Sequence, residues 1–136
     1  MRQFSNGICV EKNNSPEHRS KLIRAFAKEY DLQSNRLWNC LRRKPLCEEF
    51  SVVERLSIKG NVLFYEERCG ETYLTTFDEV CCYINQLEPW EFIDGYVFDD
   101  SYSWLICITH EDLQCLLITL EDANPIKGLI KVRESS

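Results

Sequence analysis

Between residues 69 and 126 the chain contains no lysine or arginine. The same 58 residues hold twelve acids: Glu71, Asp78, Glu79, Glu88, Glu91, Asp94, Asp99, Asp100, Glu111, Asp112, Glu121 and Asp122. The first 44 residues have the opposite balance, with ten Lys or Arg against four Asp or Glu, so the net charge of −6 conceals a basic head and an acidic body. An acidic surface of this kind repels phosphate backbones and attracts cationic groups. It points to a positively charged protein partner and away from nucleic acid. The cations of the head, among them Arg19, Lys21, Arg24 and Lys28, read as ordinary solvated helix positions.

Other absences narrow the choice. Five glycines, scattered singly, build no phosphate-cradling loop. The longest apolar runs, at residues 104–108 and 115–118, fall far short of the roughly 20 residues needed to cross a bilayer, and no membrane partner is expected. The opening MRQFSNGICVEKNN lacks the apolar run of a secretory leader, so the expected location is the cytoplasm. Eight cysteines are present, but no CxxC pair marks a zinc site. In a reducing compartment they are expected to serve as small buried hydrophobes, with a metal site or disulfides as the alternatives. No cofactor is expected.

What remains is enough for a core: 44% apolar and 12% aromatic residues in 136 positions suit one domain over residues 1–136. A helical part spans about residues 15–44 and a strand-rich part about residues 50–132. A short strand is predicted at 7–10. Ser15-Pro16-Glu17 is a helix start, followed by Leu22, Ile23, Phe26, Ala27 and Tyr30 at helical spacing, ending near Tyr30 or Asp31. Ser34 caps a second, shorter helix carrying Leu37, Trp38 and Leu41, which stops before Pro45. Residues 50–58 fit a strand or a short helix. Strands follow at 61–66 and 72–74. Thr76 with Glu79 forms a capping box for a helix with Phe77, Val80, Cys81, Ile84 and Leu87 on one side, closed by Pro89. Strands at 94–98, 103–109 and 113–120 are joined by turns at Asp99-Asp100-Ser101 and His110-Glu111-Asp112, and 126–132 adds an edge strand. Residues 104–109 are apolar on both faces, which places that strand centrally. The predicted fold is a single α+β layered domain, a mostly antiparallel sheet of four to six strands with helices packed on one face.

Three kinds of site are open. His110 beside Glu111 and Asp112 offers a general base or metal ligand, against a plain polar turn. A Cys–His nucleophile would need an electropositive setting that the acidic half does not provide. The acids 99–100 and 111–112 face water or a partner more readily than they support acid–base chemistry. Aromatics crowd the same region. Trp90, Tyr96 and Tyr102 stand at helix-exit or hairpin positions beside Glu88, Glu91, Asp94, Asp99 and Asp100, the composition of a hot spot for a basic protein. The partner-binding set expected from the sequence is therefore Glu88, Trp90, Glu91, Asp94, Tyr96, Asp99, Asp100, Tyr102, Glu111 and Asp112, with no catalytic, cofactor or metal residues.

Residues 90–112, WEFIDGYVFDDSYSWLICITHED, resemble a pattern in small bacterial proteins: an aromatic–acid start, Y-V-F-D, a turn, a Trp-bearing strand and T-H-E-D. Several of these are immunity proteins that neutralise polymorphic or contact-dependent growth-inhibition toxins, and the chain is similar to them in size, acidity and α+β layout. The resemblance implies a non-enzymatic inhibitor whose acidic surface occludes a basic toxin domain such as a nuclease. The alternatives are an adaptor or regulatory module for another cellular protein, and an enzyme or metal protein built on His110.

Overall fold

The computed structural model describes residues 4, 7–11, 17–28, 37–42, 45–68, 70–88, 90–91, 93–110 and 113–119. Seven strands form one sheet: β1 (Ile8–Glu11), β2 (Leu46–Glu49), β3 (Asn61–Glu66), β4 (Glu71–Thr76), β5 (Gly95–Phe98), β6 (Trp104–Ile108) and β7 (Gln114–Thr119). Their order is β1-β4-β3-β5-β6-β7-β2, and every pairing is antiparallel. With helices α1 (Glu17–Phe26), α2 (Phe50–Val53) and α3 (Phe77–Asn85), this is the expected α+β domain.

Two details differ from expectation. The sheet has seven strands, because β2 pairs with β7 at one edge. The helices cover both faces. Successive residues of a strand point to opposite faces, and on β3 Phe64 joins one core cluster while Tyr65 joins the other. The first cluster contains Phe50 and Val53 of α2 with Phe77, Val80 and Ile84 of α3; the second contains Leu22 and Phe26 of α1 with Leu37. β5 and β6 are buried along their whole length. A strand apolar on both faces needs a layer on each side, and the helices divide to supply them.

Local chemistry explains the helices. Thr76 caps α3 with Oγ1 accepting the Glu79 N–H at 3.3 Å, as the capping box requires. α1 stops at Phe26, short of Tyr30, because the chain changes partners there. Ala27 bridges Leu41, Lys28 N–H donates to Cys40 C=O at 2.7 Å, and Arg42 N–H donates to Phe26 C=O at 2.9 Å. The Arg42 guanidinium also donates to the carbonyls of Arg24 and Ala25, a cation on the last turn of a helix. The second helix is replaced by one 3-10 turn, Leu37–Asn39, with Leu41 in extended pairing. The helix cap at Ser34, Pro89 and the strand at 126–132 lie outside the described residues.

The pairings give the sheet two distinct ends. Glu66 of β3 lies opposite Glu71 of β4 and Gly95 of β5, and Gly95 lies opposite Ile108 of β6. The hairpin at Asp99–Tyr102 belongs to the opposite end, with Leu63 paired to Phe98.

Candidate partner surface and a buried polar cluster

Trp90 is 72% exposed, the most exposed of the large apolar side chains among the described residues. Its neighbours hold it in place. Glu91 N–H donates to Glu88 C=O at 2.9 Å, and Glu88 N–H donates back to the Glu91 carboxylate, also at 2.9 Å. These reciprocal bonds tie Glu88 to Glu91 on either side of Trp90 in the chain. Glu88 is exposed and Glu91 half-buried. Three of the ten expected partner residues are thus together at one solvent-facing place.

Asp94 and Tyr96 are not. Both are fully buried, so neither reaches a partner, and the expectation of a surface role for them is corrected. They are the centre of an internal network. Asp94 Oδ1 accepts the Trp38 indole N–H at 2.9 Å, lies 2.8 Å from His110 Nδ1, and accepts the His110 backbone N–H at 3.4 Å. Tyr96 hydroxyl donates to Glu67 Oε1 at 2.6 Å and accepts the Trp38 backbone N–H at 3.0 Å. The Glu67 carboxylate also accepts the Leu37 N–H, at 3.2 and 3.1 Å from its two oxygens. Orphan N–H groups at the start of the 3-10 turn therefore find their acceptors on Glu67, just past β3, and Tyr96 of β5. The Trp38 and His110 rings meet edge to face at 5.7 Å. Burial, and then the neighbouring Glu67 charge, pushes the Tyr96 phenol well above its usual range, so it stays a donor.

Asp99, Asp100 and Tyr102 lie beyond the other end of β5. Asp99 is occupied in building the hairpin: Oδ1 accepts from Ser101 and Oδ2 accepts the Trp104 indole N–H at 2.9 Å. Partial burial pushes its carboxyl up, but the hydrogen bonds from Ser101 and Trp104 outweigh it and hold the group below its ordinary value. Tyr102 is half-buried in the left-handed region (φ 52°), packed on Phe98 at 5.4 Å with Lys21 Nζ 6.0 Å from its ring centre. Asp100 alone of the three is exposed to solvent. Glu111 and Asp112 lie outside the described residues.

Sequence reasoning missed Trp38, Glu66 and Glu67. The signal for the last two was an acid pair closing the apolar strand NVLFY, where a turn had to follow. Glu66 is 2% exposed. Burial is the main cause that pushes its carboxyl up to about 7.

No group of three or more His, Cys, Asp or Glu among the described residues is arranged to hold a metal ion. Burial raises the thiols of Cys81 and Cys115 to about 12 and that of Cys107 well above its ordinary value, which disfavours the thiolate a nucleophile needs. No helix of the described residues is long and apolar enough to cross a membrane. In comparisons with known proteins, no family model, no curated protein and no solved structure matches the chain.

Proposed function

We propose that this protein is a non-enzymatic binding protein that inhibits a basic toxin domain by covering it, in the manner of bacterial immunity proteins. The observation that carries the proposal is Trp90: an exposed indole flanked in the chain by Glu88 and Glu91, within 58 residues free of Lys and Arg. An exposed aromatic offers contact area at low entropic cost, and its rim of carboxylates speeds encounter with a cationic surface. The contact set is narrower than the sequence suggested. It centres on Glu88, Trp90 and Glu91, with Asp100 as a more distant steering charge and Asp94 and Tyr96 serving the scaffold.

The test is calorimetric titration of the protein with the basic toxin domain encoded by the adjacent gene, at low salt. The expected result is a one-to-one complex that weakens as salt rises, with Trp90→Ala losing at least roughly tenfold in affinity. Absence of binding at low salt overturns the proposal. An unchanged affinity in Trp90→Ala places the interface elsewhere.

A further inference from the structure

His110 is a solvent-facing residue whose ring is held by buried groups. Its side chain is 37% exposed and that of Asp94 only 1%, and the two meet at 2.8 Å through Nδ1 and Oδ1. The same oxygen accepts the Trp38 indole N–H at 2.9 Å and the His110 backbone N–H at 3.4 Å. An oxygen that already receives two N–H groups is an acceptor. Nδ1 therefore carries the proton, and Nε2 is the acceptor nitrogen of the neutral ring. The Trp38 ring meets the imidazole edge to face at 5.7 Å, and Trp38 is fixed in turn by its backbone N–H, which donates to the buried Tyr96 hydroxyl at 3.0 Å. The loop that begins at His110 is also constrained. Thr109 N–H donates to Gln114 C=O at 3.0 Å, and Leu113 adopts the left-handed conformation (φ 53°), which is uncommon for a leucine. Such a conformation persists where the surrounding structure fixes it.

The imidazole stands at the same end of the sheet as the exposed Trp90. Asp94 follows Trp90 by four residues, so their α-carbons lie within about 14 Å of each other. An interface of ordinary size covers roughly 800 Å² on each partner and reaches about 30 Å across, which takes in both the indole and the imidazole. We propose that His110 is a contact residue of this surface, presenting Nε2 to an N–H of a lysine or arginine on the basic partner, and that Asp94 is its positioning residue. The inference rests on the toxin-binding reading of the surface and adds a directional acceptor to it. Lysine and arginine heads carry donors only. Carboxylates at a rim attract them from any side, whereas an imidazole nitrogen accepts along one direction. A ring already fixed by Asp94 and Trp38 loses little freedom on binding. The buried Asp94 thus serves recognition without touching the partner.

Two measurements test it. In the isolated protein, nitrogen NMR of the His110 ring at about pH 8.5, above the span in which histidine ordinarily changes charge, should find the proton on Nδ1 and none on Nε2. In Asp94→Ala the proton should move to Nε2. A wild-type ring protonated at Nε2 overturns the inference whatever the protein binds. In calorimetric titration with the basic toxin domain, His110→Ala should weaken binding roughly tenfold. Asp94→Ala should weaken it severalfold in the wild-type background and by less than about twofold in the His110→Ala background, because its effect passes through the ring. Equal penalties in both backgrounds overturn the positioning role. Should Asp94→Ala fail to fold, Trp38→Phe takes its place in the cycle. If His110→Ala binds within about twofold of the wild type while Trp90→Ala loses affinity, the inference falls and the proposed surface stands. Absence of any complex overturns both.

Discussion

Trp38 and Asp94, 56 positions apart in sequence, are joined by a 2.9 Å hydrogen bond from the indole N–H to a fully buried carboxylate. That bond fastens the 3-10 turn to the sheet. A hydrogen bond to a charged group contributes about 1.5–3 kcal/mol. Trp38→Phe keeps an aromatic ring beside His110 and removes the donor together with part of the indole. It should lower unfolding stability in urea by about 2 kcal/mol, with little change in the slope of the transition. A loss below about 0.5 kcal/mol would show that the indole N–H is not a significant support of Asp94.

Glu66 makes stability depend on pH in an unusual direction. Its folded value of about 7 lies above the ordinary 4.5, so the folded state binds the proton more tightly than the unfolded chain does. The folded state is therefore not penalised by this group below about pH 4.5. The penalty grows as pH rises from about 4.5 to 7 and then levels off near 3 kcal/mol. In Glu66→Gln that slope disappears. Urea unfolding at pH 5 and pH 8 should show the variant gaining about 2 kcal/mol on the wild type between the two conditions. Equal slopes in both proteins would contradict the raised value.

Where local chemistry is self-contained, the structure was legible in the sequence. Thr76 and Glu79 marked the start of α3, and the apolar run closing at Glu66 marked β3 to the residue. The apolar character of both faces of β6 also contained the news that helices would cover both sides, although a one-sided cover was expected. Tertiary pairing hid the rest. Leu37, Trp38 and Leu41 have helical spacing, yet Glu67 and Tyr96 capture the first N–H groups, and Leu41 bridges Ala27. β2 is a half-polar four-residue edge paired with β7, and nothing in Leu-Cys-Glu-Glu announces a strand. Asp94 and Tyr96 looked like surface residues because they sit among acids. Their orientation is set by an indole and an imidazole that local pattern cannot bring near.

The two adjacent acids of the β5–β6 hairpin should separate cleanly by mutation. Asp99 accepts from Ser101 and from the Trp104 indole, and Trp104 is itself buried in the core. Asp99→Ala strips the buried indole of its acceptor and should cost about 2 kcal/mol. Asp100→Ala, at an exposed position, should stay within about 0.5 kcal/mol of the wild type. Thermal or urea unfolding of the pair checks this. Equal losses would mean the hairpin is not held by Asp99.

Gly95 sits under an aromatic ring at the same end of the sheet as the polar cluster. A Cβ there would lie 2.6 Å from Phe64 Cε1, and Phe64 has no exposed surface into which to move. Gly95→Ala should therefore force the ring or the β3–β5 pairing to shift. The expected loss is about 1–3 kcal/mol, the range for overpacked cores, measured by chemical denaturation. Pairing Gly95→Ala with Phe64→Leu should recover part of it, because the clash is with the ring. No recovery would place the cost in the backbone.

Glu88 provides the cleanest electrostatic probe of the proposed partner surface. Its side chain is exposed, and in the local frame it contributes its backbone, so Glu88→Lys should leave the fold intact. Glu91 is less suitable, because its carboxylate accepts the Glu88 N–H. Reversing one charge beside Trp90 should slow association with a basic toxin domain severalfold at low salt and flatten the salt dependence, with a smaller change in dissociation. The same reversal at Asp100, beyond the far end of β5, should have a weaker effect because screening acts over about 10 Å at 0.1 M salt. Stopped-flow association rates of the two variants rank the sites directly. A larger effect at Asp100 than at Glu88 would move the interface to the β5–β6 hairpin and away from Trp90.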